Sequence, residues 1–587
     1  LLIIGGGAAG CYAALCAARR LKQLKTARPR EALPKILLVE KAHIERSGCL
    51  AAGVNAINAY IGAGHSPEDY VRYAAADVEG IARHDLLLSI ARLFNSTVSR
   101  LEELGLVIQK DASGRYAERG WRNVKINGEN IKPLLASALY AEQDLAVLNK
   151  VNISSYIVEN NTISGAIGFG VEDESCYVFH ARAVICATGG AAGLYRPNAS
   201  GLAGHTLWYP PFNTGAGYAM GILAGAEMTS LEMRFVALRC KGTIAPTGTL
   251  AQGAGARQLN NLGEEYEQKY GRSTAQRVYG TVMENAAGRG PCRLVASKLA
   301  QGDIEDLYKA YLNMAPLQTL KWLEDKEQKA RPDSAAFDDG VGEAQNYVLS
   351  AEIEGTEPYI VGGHAACGYW VDTQRQTTIN GLFAAGDVAG GCPQKYVSGA
   401  MAEGEIAVLA ALDYVSRSRA LNPVQVRFCA ATNAKITSAL EQGKAFLDAA
   451  NSGTSEYTAD QLEAYMQETM DEYAGGMSRQ YSYNAEGLDT ALRRIPELVE
   501  MSGKLQAADM RELLKIYELR ERLVLCRSLI AHLKARQESR WPGFSRHQDY
   551  PESADEWKLY INSKMEYDKI TIIYRKLVTG QSYEHSN

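Results

Sequence analysis

The spacing of apolar and polar residues predicts a strand, a helix and a second strand at the start of the chain. Leu1–Ile4 are four consecutive apolar residues, which is typical of a buried parallel strand. Residues 11–25 have small and apolar side chains at helical spacing, and residues 35–41 (KILLVEK) predict the next strand. This order is that of a βαβ unit, so the predicted fold class is α/β.

Strand patterns recur further along the chain. Apolar and polar residues alternate between 145 and 187, and apolar runs precede the small residues of 187–190 and 384–387. Three predicted strands therefore end in glycine-rich turns that are far apart in the sequence. We expect one nucleotide-binding domain that is interrupted by an insertion at roughly 200–350.

Helical spacing predicts the remaining elements. Residues 66–105 predict two amphipathic helices, the first with Ser66 as its N-cap and Pro67 at its first position. Residues 403–416 predict a helix whose N-terminus points at the bound nucleotide.

The last third of the chain is charged and amphipathic. It predicts a helical bundle over residues 424–451, 458–473, 488–501 and 510–535. Residues 541–587 are rich in aromatic residues and predict an irregular tail. Such a tail could wrap a partner subunit or pack on its own core.

Composition limits the classes of function. A chain of 587 residues is too long for one core, so several domains are expected. The formal net charge of −5 offers no basic field for nucleic acid. No apolar run reaches the roughly 18 residues that cross a bilayer. The chain begins inside a predicted strand without a Met, so we expect further residues upstream.

The cysteines indicate a reduced protein. Eleven cysteines are dispersed along the chain without a C-x-x-C pair. This spacing argues against a zinc ribbon and against an iron–sulfur cluster carried by this chain. An odd, dispersed set is typical of reduced thiols. We therefore expect a cytoplasmic location, no metal on this chain, and any cluster on a partner.

A glycine motif follows the first predicted strand. Gly5, Gly7 and Gly10 form G-x-G-x-x-G, in which the glycines permit a tight turn, approach of a pyrophosphate and close helix packing. A turn that serves packing only is the alternative. Glu40 ends the second strand and suits the acceptor of a ribose hydroxyl. Residues 46–60 are small and polar, as in a segment against a flat ring or in an ordinary loop.

Three motifs together resemble FAD flavoproteins of the fumarate reductase and succinate dehydrogenase superfamily. They are G-x-G-x-x-G with Glu40, Ala187-Thr188-Gly189-Gly190, and Gly381-Leu382-Phe383-Ala384-Ala385-Gly386-Asp387. The resemblance implies a Rossmann-like FAD-binding domain with an inserted α+β capping or substrate domain and a C-terminal helical domain. The implied bounds are 1–200 and 356–420 for the FAD-binding domain, 201–355 for the capping domain, 421–540 for the helical domain, and 541–587 for the tail.

The resemblance also implies the cofactor and its contacts. Asp387 would lie near the ribityl and phosphate part of FAD. The nearest N-terminal histidine, His43, precedes the Ser-Gly pair, so we expect non-covalent FAD. The implied cofactor-binding residues are Gly5, Gly7, Ala8, Ala9, Gly10, Glu40, Lys41, Ser47, Gly48, Asn55, Thr188, Gly189, Gly190, Gly386, Asp387, Ser398 and Glu403.

Shorter stretches are similar to the alpha subunits of dissimilatory adenylylsulfate (APS) reductases. They lie at 45–48, 55–62, 126–129, 208–210, 225–229, 234–239, 356–359, 363–364, 398–404, 549–551 and 561–564. Such a subunit interconverts adenylylsulfate with AMP plus sulfite through a flavin N5–sulfite adduct. The resemblance implies a beta subunit that carries [4Fe-4S] clusters. It also implies an indirect connection of the enzyme to a membrane electron-donor complex.

The same resemblance implies roles for individual residues. Asn58 would lie near the reactive edge of the flavin, while Arg239 and His364 would hold the sulfate end of the substrate. A guanidinium pairs well with an oxyanion. Phe235 would pack near the adenine, with Glu129 as a further substrate contact. Trp208 would lie on the electron route to the partner. The residue types alone also allow a structural His364, an ion-paired Arg239, a core or interface Trp208, and a structural Arg289.

Several departures keep other functions open. Tyr279 stands where the fumarate branch usually has its shuttle arginine, and no H-P-T is present. Residues 116–122 are shorter than the insertion of APS reductases, Glu405 stands where an arginine is usual, and residues 363–367 vary the usual surroundings of the histidine. The alternatives are a fumarate reductase-like or L-aspartate oxidase-like enzyme for a small carboxylate, an offshoot with another acceptor, and an electron-transfer subunit with a degenerate site.

Overall fold

The computed structural model describes residues 1–27, 29, 33–52, 54, 56–128, 130–197, 207–241, 256–299, 347–421, 428–448, 455–541 and 544–579. The predicted site residues Asn55 and Glu129 lie outside these ranges. The helices are α1 (Ala8–Ala27), α2 (Pro67–Asp77), α3 (His84–Ala91), α4 (Phe94–Glu103), α5 (Ile131–Tyr140), α6 (Ala216–Leu223), α7 (Glu267–Tyr270), α8 (Thr274–Ala286), α9 (Tyr396–Leu421), α10 (Ala430–Asp448), α11 (Ala459–Tyr473), α12 (Ala485–Ser502) and α13 (Met510–Ala535).

The strands follow the same chain order. They are β1 (Leu2–Ile4), β2 (Ile36–Val39), β3 (Ala56–Ile57), β4 (Val107–Ile108), β5 (Glu118–Arg119), β6 (Asn123–Asn127), β7 (Leu145–Leu148), β8 (Val151–Glu159), β9 (Thr162–Gly170), β10 (Cys176–His180), β11 (Val184–Cys186), β12 (Met228–Thr229), β13 (Leu238–Cys240), β14 (Arg257–Leu259), β15 (Arg293–Leu299), β16 (Tyr347–Gly355), β17 (Gly368–Tyr369), β18 (Leu382–Ala384), β19 (Ser482–Tyr483), β20 (Arg546–His547), β21 (Leu559–Glu566) and β22 (Lys569–Lys576).

A parallel sheet with the order β18-β11-β1-β2-β7 forms the centre of the fold. Ile4 lies opposite Cys186 on one side and Val39 on the other, and Cys186 lies opposite Ala384. Because the strands are parallel, their carboxyl ends meet at one edge. The three glycine-rich turns are thereby brought together, and the predicted α/β class is confirmed.

Small residues allow helices to approach closely around this sheet. Helix α1 buries Ala13, Ala14 and Ala17 completely, and it packs against α9. A Cβ atom at Gly404 of α9 would lie 2.4 Å from the main-chain oxygen of Ala9. The alanine-rich spacing that predicted α1 therefore reflects a helix enclosed by its neighbours.

A second sheet, with the order β13-β16-β15-β14, is antiparallel. It packs with α8 around its own cluster of buried residues, which includes Val278, Leu294 and Ile353. This part of the fold is built from the predicted insertion. It brings the first turns of α8 to the edge of the central cavity described below.

Helices α11, α12 and α13 form the core of the helical part. Leu488, Ile495, Leu519 and Leu523 are completely buried between them. Helix α13 has the predicted bounds, and it packs on α6 next to the central sheet. The predicted helices of this region are confirmed. None of the helices in the described ranges is both long and apolar enough to cross a membrane.

The prediction of two helices over 66–105 is wrong, because the structure has three, α2, α3 and α4. The apolar spacing of α3 continues almost without a break into α4, since neither Gly nor Pro separates them. The start of α2 is confirmed. The Ser66 hydroxyl accepts from the Asp69 amide at 3.3 Å, and the Asp69 carboxylate accepts from the Ser66 amide at 2.7 Å.

Two further predictions need correction. Helix α9 begins at Tyr396 rather than at 403. The tail is not irregular, because β21 and β22 form an antiparallel hairpin that extends β12 and β17 into one sheet. Tyr567 and Asp568 turn the hairpin with φ angles of 50° and 61°. That geometry usually selects Asn-Gly, so the sequence lacks the common turn signal.

Candidate functional site

A cavity of about 660 Å³ opens at the carboxyl edge of the central sheet. We call the part beside the first glycine turn the glycine end, and the part beside His364 the histidine end. The predicted residues that line the cavity are Gly5, Gly7, Ala8, Ala9, Glu40, Lys41, Ser47, Gly48, Asn58, Thr188, Gly189, Trp208, Phe235, His364, Gly386 and Asp387. Gly10, Gly190, Arg239, Ser398 and Glu403 lie behind this wall.

The glycines of the first turn have different physical requirements. Gly5 has a φ of 98°, and a Cβ atom there would lie 2.5 Å from the main-chain oxygen of Ala187. A Cβ atom at Gly10 would lie 1.9 Å from the oxygen of Gly5. A Cβ atom at Gly7 would meet no protein atom within 4 Å. Gly7 therefore leaves its space open on the cavity side, where the main chain can approach a pyrophosphate.

Side chains hold the turn from both sides. The Glu40 carboxylate accepts from the amide of Gly6 at 2.7 Å and from the amide of Ala42 at 2.8 Å. The completely buried ammonium group of Lys132 donates to the Gly6 carbonyl, and it lies 3.4 Å from the sulfur of Cys11. Sequence reasoning missed Lys132, since a lysine is usually exposed and no motif marks this position.

Other predicted residues line or support the glycine end. Lys41 donates from Nζ to the Phe212 carbonyl and to Glu518 of α13, each at 2.7 Å. The helical part therefore contributes to the stability of the cavity wall. Gly190 does not line the cavity. It donates its amide to the hydroxyl of Tyr209, a residue of the wall, at 2.9 Å and so supports the wall.

A buried ion cluster supports the third turn. Glu403 is completely buried and accepts from Arg375 at 3.1 Å, from Lys395 at 2.8 Å and from the Gly386 amide at 3.0 Å. Ser398 donates to a main-chain oxygen at 2.5 Å. Glu403 therefore fixes the third turn from behind, whereas Ser398 binds the carbonyl of Ala59 in another segment. Asp387 itself faces the cavity and accepts from the Tyr209 hydroxyl at 2.7 Å.

Aromatic rings surround His364 at the histidine end. The ring of Phe235 is stacked on His364 with a centroid distance of 4.5 Å and an interplanar angle of 22°. Trp208 lies 5.4 Å from His364 and 5.1 Å from Phe235, and Tyr396 lies 5.6 Å from His364. The structure thus brings together Phe235 and His364, which were predicted at the substrate, and Trp208, which was predicted on the electron route.

Burial controls the protonation of this end. Burial lowers the pKa of His364, and the nearby Asp387 only partly offsets this effect. The imidazole is therefore neutral at neutral pH, with one nitrogen that donates and one that accepts. Burial, followed by the charge of Asp387, raises the pKa of Tyr209, so its hydroxyl stays a donor.

Arg239 is placed differently from the other predicted catalytic residues. It lies in β13 and is completely enclosed, whereas its neighbours Ala237 and Leu238 line the cavity. Its Nε atom lies 3.2 Å from Glu354 Oε1, and its Nη1 atom lies 3.6 Å from Glu357 Oε2. Within the described ranges, Nη1 and Nη2 have no hydrogen-bond partner. Two carboxylates thus balance the charge of Arg239.

Arg289, which the sequence left undecided, is held by a carboxylate. Its Nε and Nη2 atoms donate to Glu284 at 2.6 and 2.7 Å, which indicates a structural role.

Sequence reasoning missed Arg122 and Arg277 as cavity residues, and the structure shows both in the wall. The signal was available only for Arg122, which lies close to the motif around residue 126.

The residues present fit FAD. The wall combines an open glycine turn, the Glu40 carboxylate at the end of β2, and small residues along the length of the cavity. Its lining includes residues of all three glycine-rich turns as well as His364, so one cavity joins the groups that a dinucleotide would contact. Among the described residues, no group of three His, Cys, Asp or Glu side chains is arranged to hold a metal ion.

Comparison with known proteins finds similarity along almost the whole chain. The FAD binding domain model matches residues 1–400, and the fumarate reductase flavoprotein C-terminal model matches residues 463–585. Adenylylsulfate reductase subunit alpha of Megalodesulfovibrio gigas is 30% identical, over 98% of this chain and 95% of that protein.

Two solved structures share the fold over nearly their full length. The adenylylsulfate reductase of the hyperthermophilic Archaeoglobus fulgidus has a TM-score of 0.87 at 32% identity, covering 100% of this chain and 96% of that one. An adenosine-5-phosphosulfate reductase with a covalent sulfite adduct has a TM-score of 0.87 at 32% identity and the same coverage, 100% and 96%. The chain therefore belongs to the family of FAD-dependent oxidoreductases that includes the adenylylsulfate reductase alpha subunits, within the fumarate reductase and succinate dehydrogenase flavoprotein superfamily.

Proposed function

We propose that this chain is the flavoprotein subunit of an enzyme that interconverts adenylylsulfate with AMP plus sulfite. One observation carries the proposal. The wall at the histidine end contains Phe235 and His364, which the resemblance assigned to the substrate, together with Asn58, which it placed near the reactive edge of the flavin. The relatives named above act on this class of compound, and they match this chain over almost its entire length.

Each residue of the histidine end has a task that suits its chemistry. Phe235 offers a flat apolar face against which an adenine can pack. The neutral His364 donates a hydrogen bond to a sulfonyl oxygen without carrying a charge that must be desolvated. The Asn58 amide orients the reacting group, and the aromatic rings of Trp208 and Tyr396 exclude water.

The glycine end would hold the cofactor. The turn at Gly7 and the amides at the start of α1 would receive the pyrophosphate, and Glu40 would lie at the ribose. Gly386 and Asp387 would contact the ribityl and phosphate part. FAD, when bound, would provide the reactive N5 atom and carry the two electrons, which it would give when adenylylsulfate is reduced and accept when sulfite is oxidised.

We extend the proposal to the assembly. An iron–sulfur beta subunit with [4Fe-4S] clusters would exchange electrons with this chain, and the half-buried Trp208 would lie on the route between them. Residues 201–355 would form the capping domain between the two parts of the FAD-binding domain. A cytoplasmic location fits the eleven free cysteines.

An anaerobic assay of the purified chain with its beta subunit tests the proposal. We expect reduction of an electron-accepting dye only when AMP and sulfite are both present. The matched controls omit AMP, omit sulfite, or replace both with succinate. Absence of the AMP-dependent rate together with fumarate-dependent oxidation of a reduced dye would overturn the proposal in favour of a small carboxylate.

A further inference from the structure

Arg122 lines the histidine end and forms no ion pair within the part of the chain that the structure describes, although its charge acts on the carboxyl of Asp77. Its Nη1 atom donates to the main-chain oxygen of Asn58 at 3.0 Å and to Oδ1 of Asn123 at 3.2 Å. Its guanidinium carbon lies 4.3 Å from the ring centroid of Tyr73 and 5.8 Å from that of Tyr396. The contacts of the guanidinium are thus uncharged oxygens and aromatic faces.

The other arginines near this end differ in charge balance. Arg239 lies between two carboxylates, and the Nε atom of Arg277 lies 3.2 Å from Glu267 Oε1. In the ranges that the structure describes, no carboxylate forms an ion pair with Arg122. A largely enclosed cation is costly unless an anion compensates it. The cavity beside Arg122 is therefore suited to an anion.

The neighbours of Arg122 place this charge at the reacting end. Asn58, whose carbonyl it contacts, is the residue predicted at the reactive edge of the flavin. Tyr396, whose ring it faces, also contacts His364 at 5.6 Å. Arg122 and His364 thus share one aromatic neighbour. Stacking on Tyr73 and Tyr396 holds the plane of the guanidinium, which reduces the entropy lost when it binds a planar or tetrahedral oxyanion.

We propose that Arg122 is a specificity-determining residue that binds the sulfonyl oxygens of the substrate. The identity of the substrate rests on the proposed function, whereas the oxyanion class rests on the geometry of Arg122. A guanidinium offers paired donors that match two oxygens of a sulfonyl or sulfite group. An arginine stays charged over the whole accessible pH range, so the pH does not change the charge that Arg122 offers.

Three variants of the full-length, FAD-loaded protein test the inference. Arg122→Gln removes the charge, and Arg122→Lys keeps it. Arg115→Gln is the matched control, since Arg115 lies on the same segment but is 77% exposed and pairs with Asp111. The probes are sulfate, sulfite and adenylylsulfate, and their dissociation constants are measured by calorimetry and by the flavin difference spectrum. The FAD content and the thermal midpoint report folding.

We expect Arg122→Gln to weaken binding of all three probes by roughly 10- to 100-fold, as for loss of a charge-assisted hydrogen bond. Arg122→Lys should restore part of the loss, and Arg115→Gln should bind as the wild type does. Unchanged binding by Arg122→Gln would overturn the inference. Equal loss in Arg122→Gln and Arg122→Lys, with reduced FAD content, would show a structural role instead.

The same titrations separate the inference from the proposed function. If sulfate binding depends on Arg122 but the wild type shows no AMP-dependent reaction with sulfite, the proposed function fails and Arg122 remains an oxyanion-binding residue. If the AMP-dependent reaction is present and the Arg122→Gln variant has unchanged KM and kcat, the inference fails and the proposed function stands.

Discussion

The two ends of the cavity are built in different ways. The glycine end consists of main-chain groups from one short segment, Gly5–Gly10, joined by Glu40 from the next strand. The histidine end consists of side chains, and Asn58, Phe235 and His364 come from segments far apart in the chain. Recognition by the main chain leaves a local glycine pattern in the sequence, whereas recognition by side chains depends on how distant segments pack.

The two ends also differ in how charge is arranged. At the glycine end, Glu40 and the buried Lys132 both bind the main chain of the same turn. At the histidine end, Arg239 is balanced by two carboxylates, whereas Arg122 forms no ion pair with any residue of the described ranges. Charge at the first end thus stabilises the turn, and charge at the second is available to a ligand. The following changes test this difference.

Gly10→Ala should have the largest effect. The added Cβ atom would lie 1.9 Å from the Gly5 carbonyl, so the first turn of α1 must separate from the strand. We expect FAD content to fall by at least about tenfold, because the pyrophosphate site is lost and bound cofactor no longer stabilises the fold. Flavin absorbance per chain after purification measures this.

A matched control for this change is Gly443→Ala in α10, where the Cβ atom would meet only the Tyr517 hydroxyl at 3.4 Å. This variant should keep its FAD. Full FAD content in Gly10→Ala would contradict the assignment of the glycine end to the dinucleotide.

Arg239→Gln should be next in size. Removing the guanidinium leaves the enclosed Glu357 without its cation, which costs about 3–5 kcal/mol in buried ion pairs. The midpoint of denaturant unfolding measures the loss. The double variant Arg239→Gln/Glu357→Gln should recover most of the stability, since the two enclosed charges are then absent and the remaining carboxylate, Glu354, is partly exposed.

Activity of the stable double variant decides the role of Arg239. If Arg239 binds the substrate, the double variant stays inactive although it is folded and contains FAD. Recovery of both stability and activity would show that the predicted substrate role of Arg239 is wrong. Arg239 would then serve only to balance the charge of its carboxylate partners.

His364→Asn should lower kcat by roughly 10²- to 10³-fold, the usual effect of removing one donor to a developing negative charge. Because burial lowers the pKa of His364, the neutral ring should support activity throughout the neutral range and persist below its usual pKa of about 6.5. The free energy of unfolding should fall as the pH drops from about 6.5 towards the lowered pKa, because the unfolded chain binds the proton first, whereas the ring in the folded protein is protonated only near the lowered pKa.

The pH profiles of wild type and His364→Asn measure this. A rate that declines as the pH rises through about 6.5 would show a protonated, acidic histidine instead. His180→Asn is the matched control, since His180 is exposed and stacks on Phe428 away from the cavity. It should leave the profile unchanged.

Trp208→Phe should have the smallest effect. The smaller ring keeps part of the contact with Phe235 and His364, so binding should change little. We expect a roughly two- to tenfold lower rate with the beta subunit, in line with the loss of one aromatic contact, and an unchanged rate with a small dye. Trp370→Phe is the control, because Trp370 packs between Arg83 and Arg575 outside the cavity.

Local sequence predicted the parts of the fold in which one element determines its own pattern. The buried strand β1, the alanine-rich α1 and the long α13 follow from periodicity, and Ser66 with Asp69 follows from capping chemistry. The hairpin of β21 and β22 was missed, because its alternation is clear only beside the strand that it pairs with and its turn lacks glycine.

The sequence by itself determined the glycine end, since a main-chain site for phosphate requires glycines at set spacing within one segment. Only the tertiary structure decided the histidine end. It enclosed Arg239 between Glu354 and Glu357 and left Arg122 facing the cavity. The carboxylates that balance Arg239 lie more than a hundred residues further along the chain, and no local pattern records that pairing.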